Sequence, residues 1–125
     1  MKIIIKTKNI EPTESLRDFI NEKFISLKKF IALLKREEGM GKTLAEVFVE
    51  VEKETKHHNK GEIFLAEASL KLPGKSLMAS ARSDDILNVI TKARNELKSE
   101  INKYKSKEIE GMRRRKKQTK KEINF

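Results

Sequence analysis

Two stretches of the chain repeat apolar residues at the spacing of an amphipathic helix. The first follows Thr13, a predicted N-cap, and continues to Leu34, with Lys23 as the one interruption. The second runs over about residues 84–107 with the same period. The two apolar stripes are Leu16, Phe19, Ile20, Phe24, Leu27, Phe30, Ile31 and Leu34, and then Ile86, Val89, Ile90, Ala93, Leu97, Ile101 and Tyr104.

Short segments with β-branched or alternating apolar residues predict the remaining elements. The predicted strands are residues 2–7, 44–53, 62–72 and 76–82. Pro73-Gly74 separates the last two and predicts a hairpin. The outward positions of the second strand are acidic, at Glu46, Glu50 and Glu52. The order is βαβββα, and it predicts an α+β fold with a four-stranded sheet and two helices packed on one face.

The charge of the chain favours a polyphosphate partner. Its 125 residues include 29 Lys and Arg against 19 Asp and Glu, a net charge of +10. Cations that neutralise nucleic-acid phosphates release condensed counterions, which stabilises the complex. The chain has no Cys and no apolar run of about 20 residues, so we expect neither disulfides nor a membrane partner, and a cytoplasmic location.

After Lys107 the apolar period stops, and the sequence becomes strongly basic. Residues 107–125 contain eight Lys or Arg and three Glu. We therefore predict a folded domain over residues 1–107 and a basic tail over residues 108–125 that is disordered when free.

The predicted helices carry cations beside their apolar stripes. On a wheel of about 100° per residue, one set lies to the same side of each stripe: Arg17, Lys28 and Lys35 on the first helix, and Arg94, Lys98 and Lys105 on the second. If the helices pack side by side, we expect these sets to form one cationic surface. Further candidate RNA-binding residues are Lys23, Lys29, Arg36, Lys92, Lys103 and Lys107, with Arg113, Arg114, Arg115, Lys116 and Lys117 in the tail. The competing interpretation is an ordinary solvated surface.

Candidates for catalysis or metal binding are weak. His57 and His58 lie in a polar connection, and two adjacent histidines need ligands from elsewhere to form a metal site. Asp84 and Asp85 stand at a predicted helix start, where capping accounts for both. We predict no enzyme activity, no cofactor and no small-molecule substrate.

Three segments, residues 8–20, 67–81 and 102–107, together resemble the ribosome hibernation-promoting factor family, also called ribosome-associated inhibitor A or sigma-54 modulation proteins. The resemblance covers residues 1–107. It implies a fold similar to double-stranded RNA-binding domains. It also implies binding to the small ribosomal subunit and its rRNA, between head and body, where mRNA and tRNA would lie. The matching residues are Asn9, Glu11, Thr13, Leu16, Arg17, Lys23, Pro73, Gly74, Ala79, Ser80, Asp85, Ile90, Lys103, Lys105 and Lys107.

The chain departs from the family pattern on the second helix. Glu96 and Ser99 stand where members of the family often carry basic residues. Arg94 and Lys98 lie about one turn away, and we expect them to compensate.

These observations predict a translation inhibitor that occupies the decoding channel of idle ribosomes. The alternative is a general double-stranded RNA-binding protein or RNA chaperone without ribosomal preference, since the same fold and charge would serve it. A third hypothesis, an RNA-processing enzyme, requires His57, His58 or the Asp84-Asp85 pair to act chemically.

Overall fold

In the computed structural model, the strands and helices of the protein follow one another in the predicted order, except that two helices stand where the sequence predicts the first one. The structure describes residues 1–37, 39, 45–54 and 61–123, and side chains in the last helix as far as Lys107. The elements are β1 (Lys2–Lys8), α1 (Glu14–Ile25), α2 (Lys28–Glu37), β2 (Glu46–Lys53), β3 (Phe64–Leu72), β4 (Lys75–Ser83) and α3 (Ile86–Ile123).

The four strands form one sheet in the order β1-β2-β3-β4. β1 and β2 are parallel, which requires a crossover connection, and α1 and α2 supply it. The other neighbours are antiparallel. The turn at Pro73-Gly74 joins β3 to β4, and Gly74 has φ +71°, a value that glycine adopts without steric strain.

The core lies between one face of the sheet and the three helices. Val47, Val49 and Val51 are buried on the inner face of β2, and alternate residues of β3 are buried beside them. The helical layer contributes Leu27, at the junction of α1 and α2, and the helical residues Leu16, Ile20, Phe24, Ile31, Leu34, Val89, Ile90, Ala93, Leu97 and Ile101. The predicted α+β fold, with its helical layer on one face, is confirmed.

No helix in the described part of the chain has the length and apolar character needed to cross a bilayer.

The first predicted helix is two helices, which the sequence period did not indicate. α1 ends at Ile25 and α2 begins at Lys28. Between them the Ser26 hydroxyl donates to the Lys23 carbonyl at 2.6 Å, and the Leu27 amide donates to the Phe24 carbonyl at 3.1 Å. A serine side chain that bonds to the carbonyl three residues earlier competes with the helical ladder.

The last helix is longer than predicted. The sequence predicts its end near Lys107, followed by a tail without regular structure, whereas α3 continues to Ile123. The added segment is rich in Glu, Lys and Arg, which favour helix, and it has no proline. That residues 108–125 act as a separate basic arm stays a prediction.

The outer face of the sheet carries both charges, although its second strand alone predicted an acidic face. Register places Lys2, Lys6 and Lys8 of β1 opposite Glu46, Glu50 and Glu52 of β2. Lys8 and Glu52 form an ion pair at 3.8 Å. The Lys71 ammonium lies 4.7 Å from the centre of the Phe48 ring. This face therefore presents a mixed surface.

Candidate nucleic-acid interface

Arg94 of α3 meets the junction between α1 and α2. Its Nε and Nη2 donate to the Ser26 hydroxyl oxygen at 3.0 and 2.9 Å, and its Nη1 donates to the Asn95 side-chain oxygen at 2.7 Å. The Ser26 hydroxyl is itself held, because it donates to the Lys23 carbonyl. The guanidinium is thus fixed at the surface where α3 meets the α1–α2 junction.

Lys98, one turn after Arg94 on α3, and Lys29 of α2 both contact the ring of Phe30. The Lys98 ammonium lies 4.7 Å from the ring centre and the Lys29 ammonium lies 5.1 Å from it. Their ammonium groups are therefore within about 10 Å of each other, about one Debye length at 0.1 M salt. We call the surface formed by these side chains the helical seam; its residues are Ser26, Lys29, Phe30, Arg94 and Lys98.

The cations of the helical seam have no carboxylate partner in the part of the chain that the structure describes. Among the described residues, the ion pairs join Lys8 to Glu52, Lys53 to Glu62, Arg82 to Glu54 and Lys103 to Glu100. None of these pairs includes Lys29, Arg94 or Lys98. The Phe30 ring contacts the two lysines, and the Ser26 and Asn95 oxygens accept from Arg94, but no described carboxylate offsets the three positive charges. The helical seam is therefore a favourable place for an anion.

The opposite flank of α3 is acidic near β4. Glu96 and Glu100 line a groove of about 320 Å³ together with Glu67, Met78, Ala79 and Ser80. Glu96 lies two residues from Arg94, or about 200° around the helix. Arg94 and Lys98 consequently face α1 and α2, whereas Glu96 and Glu100 face β4. That Arg94 and Lys98 compensate for Glu96 and Ser99 stays a prediction.

The predicted cations of the first helical segment also divide between two flanks. Lys28 and Lys35 lie about 140–160° around α2 from Phe30, which faces α3. Arg17 lies about 180° around α1 from Ser26, which contacts Arg94. By this helix geometry Arg17, Lys28 and Lys35 lie on the flank of α1 and α2 away from the helical seam. That they form one cationic surface with Arg94 and Lys98 stays a prediction.

The remaining candidates are distributed over the helices. The Lys23 ammonium lies 5.4 Å from the centre of the Phe19 ring. Lys103 pairs with Glu100 at 3.6 Å and, with Lys107, lines a shallow surface depression. Lys105 is half-buried, whereas Arg36 and Lys92 are exposed. The side chains of Arg113, Arg114, Arg115, Lys116 and Lys117 lie outside the described residues.

Sequence reasoning missed Ser26 and placed Phe30 only in the core. Phe30 is half-buried, so one part of its ring packs on the core and another part contacts the two lysines. The available signal for Ser26 was a polar residue inside the predicted helix, but its partner Arg94 is 68 residues away in the chain.

Of the catalytic candidates, Asp85 has a structural role, and Asp84 is exposed without a hydrogen bond among the described residues. The Asp85 carboxylate accepts a hydrogen bond from the Leu87 amide at 3.0 Å, and the Val89 amide donates to the Asp85 carbonyl at 2.9 Å. These contacts identify Asp85 as the N-cap of α3. His57 and His58 lie outside the described residues.

The fold and this surface define a class, a small α+β domain whose helical layer carries the cations Lys29, Arg94 and Lys98 without an ion-pair partner among the described residues. The chain belongs to the family described as Sigma 54 modulation protein / S30EA ribosomal protein, whose model matches residues 3–109. This match confirms the resemblance drawn from the three sequence segments.

Individual relatives agree with the family assignment. The chain is 28% identical over 110 residues to a ribosome hibernation promoting factor from Acinetobacter guillouiae, covering 88% of this chain and 92% of the relative. Two solved structures share the fold, each with a TM-score of 0.58. The Thermus thermophilus Protein Y N-terminal domain is 21% identical, covering 83% of this chain and 99% of that domain. A ribosomal subunit interface protein from Coxiella burnetii is 22% identical, with coverages of 85% and 99%.

Proposed function

We propose that this protein is a ribosome hibernation factor that binds the small ribosomal subunit through rRNA phosphates and blocks the decoding channel. The observation that carries the proposal is that Lys29, Arg94 and Lys98 lie together on the helical layer without an ion-pair partner among the described residues, in a chain of this family. The name of the relative from Acinetobacter guillouiae, a ribosome hibernation promoting factor, supports it.

The mechanism is steric exclusion by a folded wedge. Lys and Arg side chains bind the phosphate backbone, which fixes position without sequence readout. The apolar core between sheet and helices keeps these cations at set positions, so little order has to be created on binding. A domain held in this way excludes mRNA and tRNA from the volume that it occupies. This function is binding, and it requires no catalytic group.

Co-sedimentation with purified small subunits at rising salt tests the proposal. The affinity is expected to fall linearly on a logarithmic scale as salt increases, because each phosphate contact releases counterions. Translation in a cell-free system should stop in proportion to the bound fraction. Binding that is unaffected by salt would contradict docking through phosphates.

The alternative, a general double-stranded RNA-binding protein or RNA chaperone, is favoured by the same cations, since a backbone contact carries no sequence information. Competition separates the two functions. Excess duplex RNA strips a general binder from ribosomes, whereas a channel-specific factor stays largely bound.

The cytoplasm is the compartment in which this function would operate. We further propose that residues 108–125 contribute to binding as a basic arm that runs along the channel. Eight Lys and Arg over residues 107–125 provide the charge for several phosphate contacts. Only several contacts together offset the entropy lost when an arm is held on a surface.

A further inference from the structure

The two edges of the sheet differ in how they are protected against pairing with a further strand. Natural sheets discourage such pairing with charged residues, proline or bulges. The β1 edge carries exposed lysines at positions 2, 6 and 8. β4 pairs one-to-one with β3 over its nine residues, without a bulge, and neither a charged residue nor a proline lies between Leu77 and Ala81. No described strand pairs with the other side of β4, so this edge is open.

The hydrogen-bond pattern of the sheet identifies which backbone groups of β4 face the open side. Along a strand in an antiparallel sheet, successive residues bond alternately to one neighbour and to the other. The Glu54 amide donates to the Ile63 carbonyl at 2.8 Å, so odd-numbered residues of β3 bond to β2 and even-numbered residues bond to β4. Through the register, the odd-numbered residues of β4 bond to β3. The residues that direct their amides and carbonyls to the open edge are therefore Ser76, Met78, Ser80 and Arg82.

Carboxylates stand on both sides of this edge. Glu67, Glu96 and Glu100 line the groove of about 320 Å³ at the middle of β4. Glu100 lies 3.6 Å from Lys103, whereas Glu67 and Glu96 have no ion-pair partner among the described residues. Side chains of a strand alternate between the two faces of its sheet. On a strand added to β4, cations on the helical side would meet Glu96 and Glu100. Long cations on the outer side can reach over the small Ser80 side chain to Glu67, its register partner.

We propose that the β4 edge is a docking site for an extended, basic segment of a partner protein, which adds a fifth strand to the sheet. The open amides and carbonyls of β4 hold the backbone of the segment, and the carboxylates of the groove select Lys or Arg at its alternate positions. This interaction is separate from the proposed binding of RNA phosphates by the helical layer, and it does not depend on that function.

The charges favour this occupant over a second copy of the chain. Pairing two β4 edges would gather the carboxylates of both copies along one edge, where like charges repel. The basic C-terminal segment of the chain itself lies in α3, and a helix already uses the backbone groups that a strand would need.

Two synthetic peptides test the site in an NMR titration of the full chain. Each has the length of β4, nine residues, with Thr alternating with Lys in one peptide and with Glu in the other. We expect the lysine peptide to shift the amide signals of Met78, Ser80 and Arg82 and to slow their exchange with solvent. The glutamate peptide should leave these signals unchanged. No change with the lysine peptide, or equal changes with both peptides, would overturn the proposal.

Two variants separate the backbone contribution from the charge contribution. Ser80→Pro removes an amide of the open edge but no hydrogen bond to β3, and proline is tolerated at such positions. The affinity for the lysine peptide should fall by at least about fivefold, because a backbone hydrogen bond is lost and the ring obstructs the added strand. Glu67→Gln combined with Glu96→Gln should weaken binding about two- to tenfold, as expected for two exposed ion pairs. Urea unfolding checks that each variant is folded, and the carboxylate variant decides if Ser80→Pro is not.

Asp18→Asn combined with Glu22→Gln is the matched control. It removes two exposed carboxylates from α1, on the other layer of the protein. We expect it to bind the lysine peptide as the wild type does. Equal weakening by this control and by the Glu67/Glu96 variant would indicate general charge attraction and overturn the proposal. Sedimentation of the chain alone tests the second copy, and a dimer that Ser80→Pro dissociates would likewise overturn it.

Discussion

Replacing Asp85 with Ala is expected to destabilise the fold through loss of the α3 N-cap. The Asp85 carboxylate accepts from the Leu87 amide at 3.0 Å, and the Ser83 hydroxyl oxygen accepts from the Asp85 amide at 3.3 Å. An N-cap replaced by Ala lowers the free energy of unfolding by about 1 kcal/mol, with a range of about 0.5–2. For a domain of this size, that corresponds to a fall in Tm of about 4 °C.

Asp84→Ala is the control, because it removes the neighbouring carboxylate without removing a cap. Asp84 is exposed and has no hydrogen bond among the described residues. Urea unfolding followed by far-ultraviolet circular dichroism gives both free energies of unfolding. We expect the Asp84→Ala value to lie within about 0.5 kcal/mol of the wild type. Asp85→Asn should lie between the two, since an asparagine still caps but has no charge to interact with the helix dipole.

Two results would refute this assignment. One is equal destabilisation by Asp84→Ala and Asp85→Ala, which would show that the cap is not specific to Asp85. The other is an unchanged free energy of unfolding in Asp85→Ala combined with loss of translation inhibition. That outcome would return the carboxylate pair to the hypothesis of an RNA-processing enzyme.

Further predictions concern the core, a turn, a surface ion pair and the tail. Leu97→Ala should lower the free energy of unfolding by about 3–5 kcal/mol in a urea titration, because the side chain is fully buried. Asn9 has φ 59° and donates to the Lys53 carbonyl at 3.3 Å, so Asn9→Ala should destabilise more than Asn9→Gly in the same assay. Arg82→Gln, which breaks an exposed pair with Glu54, should change the free energy of unfolding by less than about 1 kcal/mol. Truncation after Lys107 should leave Tm nearly unchanged in calorimetry. The slope of log ribosome affinity against log salt should become shallower by the equivalent of several phosphate contacts. An unchanged slope would contradict a role for the tail.

The fold was largely predictable from the sequence because apolar residues recur at regular helical or strand spacing in most of its elements. Alternation along residues 44–53 and 62–72 identified two central strands and the faces that they bury. The break between α1 and α2 was not predictable in this way. Helical spacing of apolar residues continues across the break, at Phe24, Leu27, Ile31 and Leu34. The Arg94 side chain that contacts Ser26 at the break comes from a distant part of the chain.

The site was predictable in composition but not in arrangement. The wheel identified Arg94 and Lys98 as neighbours on one flank, which holds for any helix. Whether that flank faces α2 or β4 depends on how α3 packs on the sheet, and this is a tertiary property. Likewise, Glu46 and Glu50 alone suggested an acidic outer face. The parallel pairing of β1 with β2 places lysines beside them, and this pairing cannot be read from the sequence of β2.

A density map of the protein bound to vacant ribosomes tests the central claim most directly. The account predicts density for the domain in the decoding channel of the small subunit, with rRNA phosphate beside Arg94 and Lys98 and the outer face of the sheet turned away from that contact. Density outside the channel, or rRNA packed against the groove of Glu96 and Glu100 with the helical seam open to solvent, would contradict it.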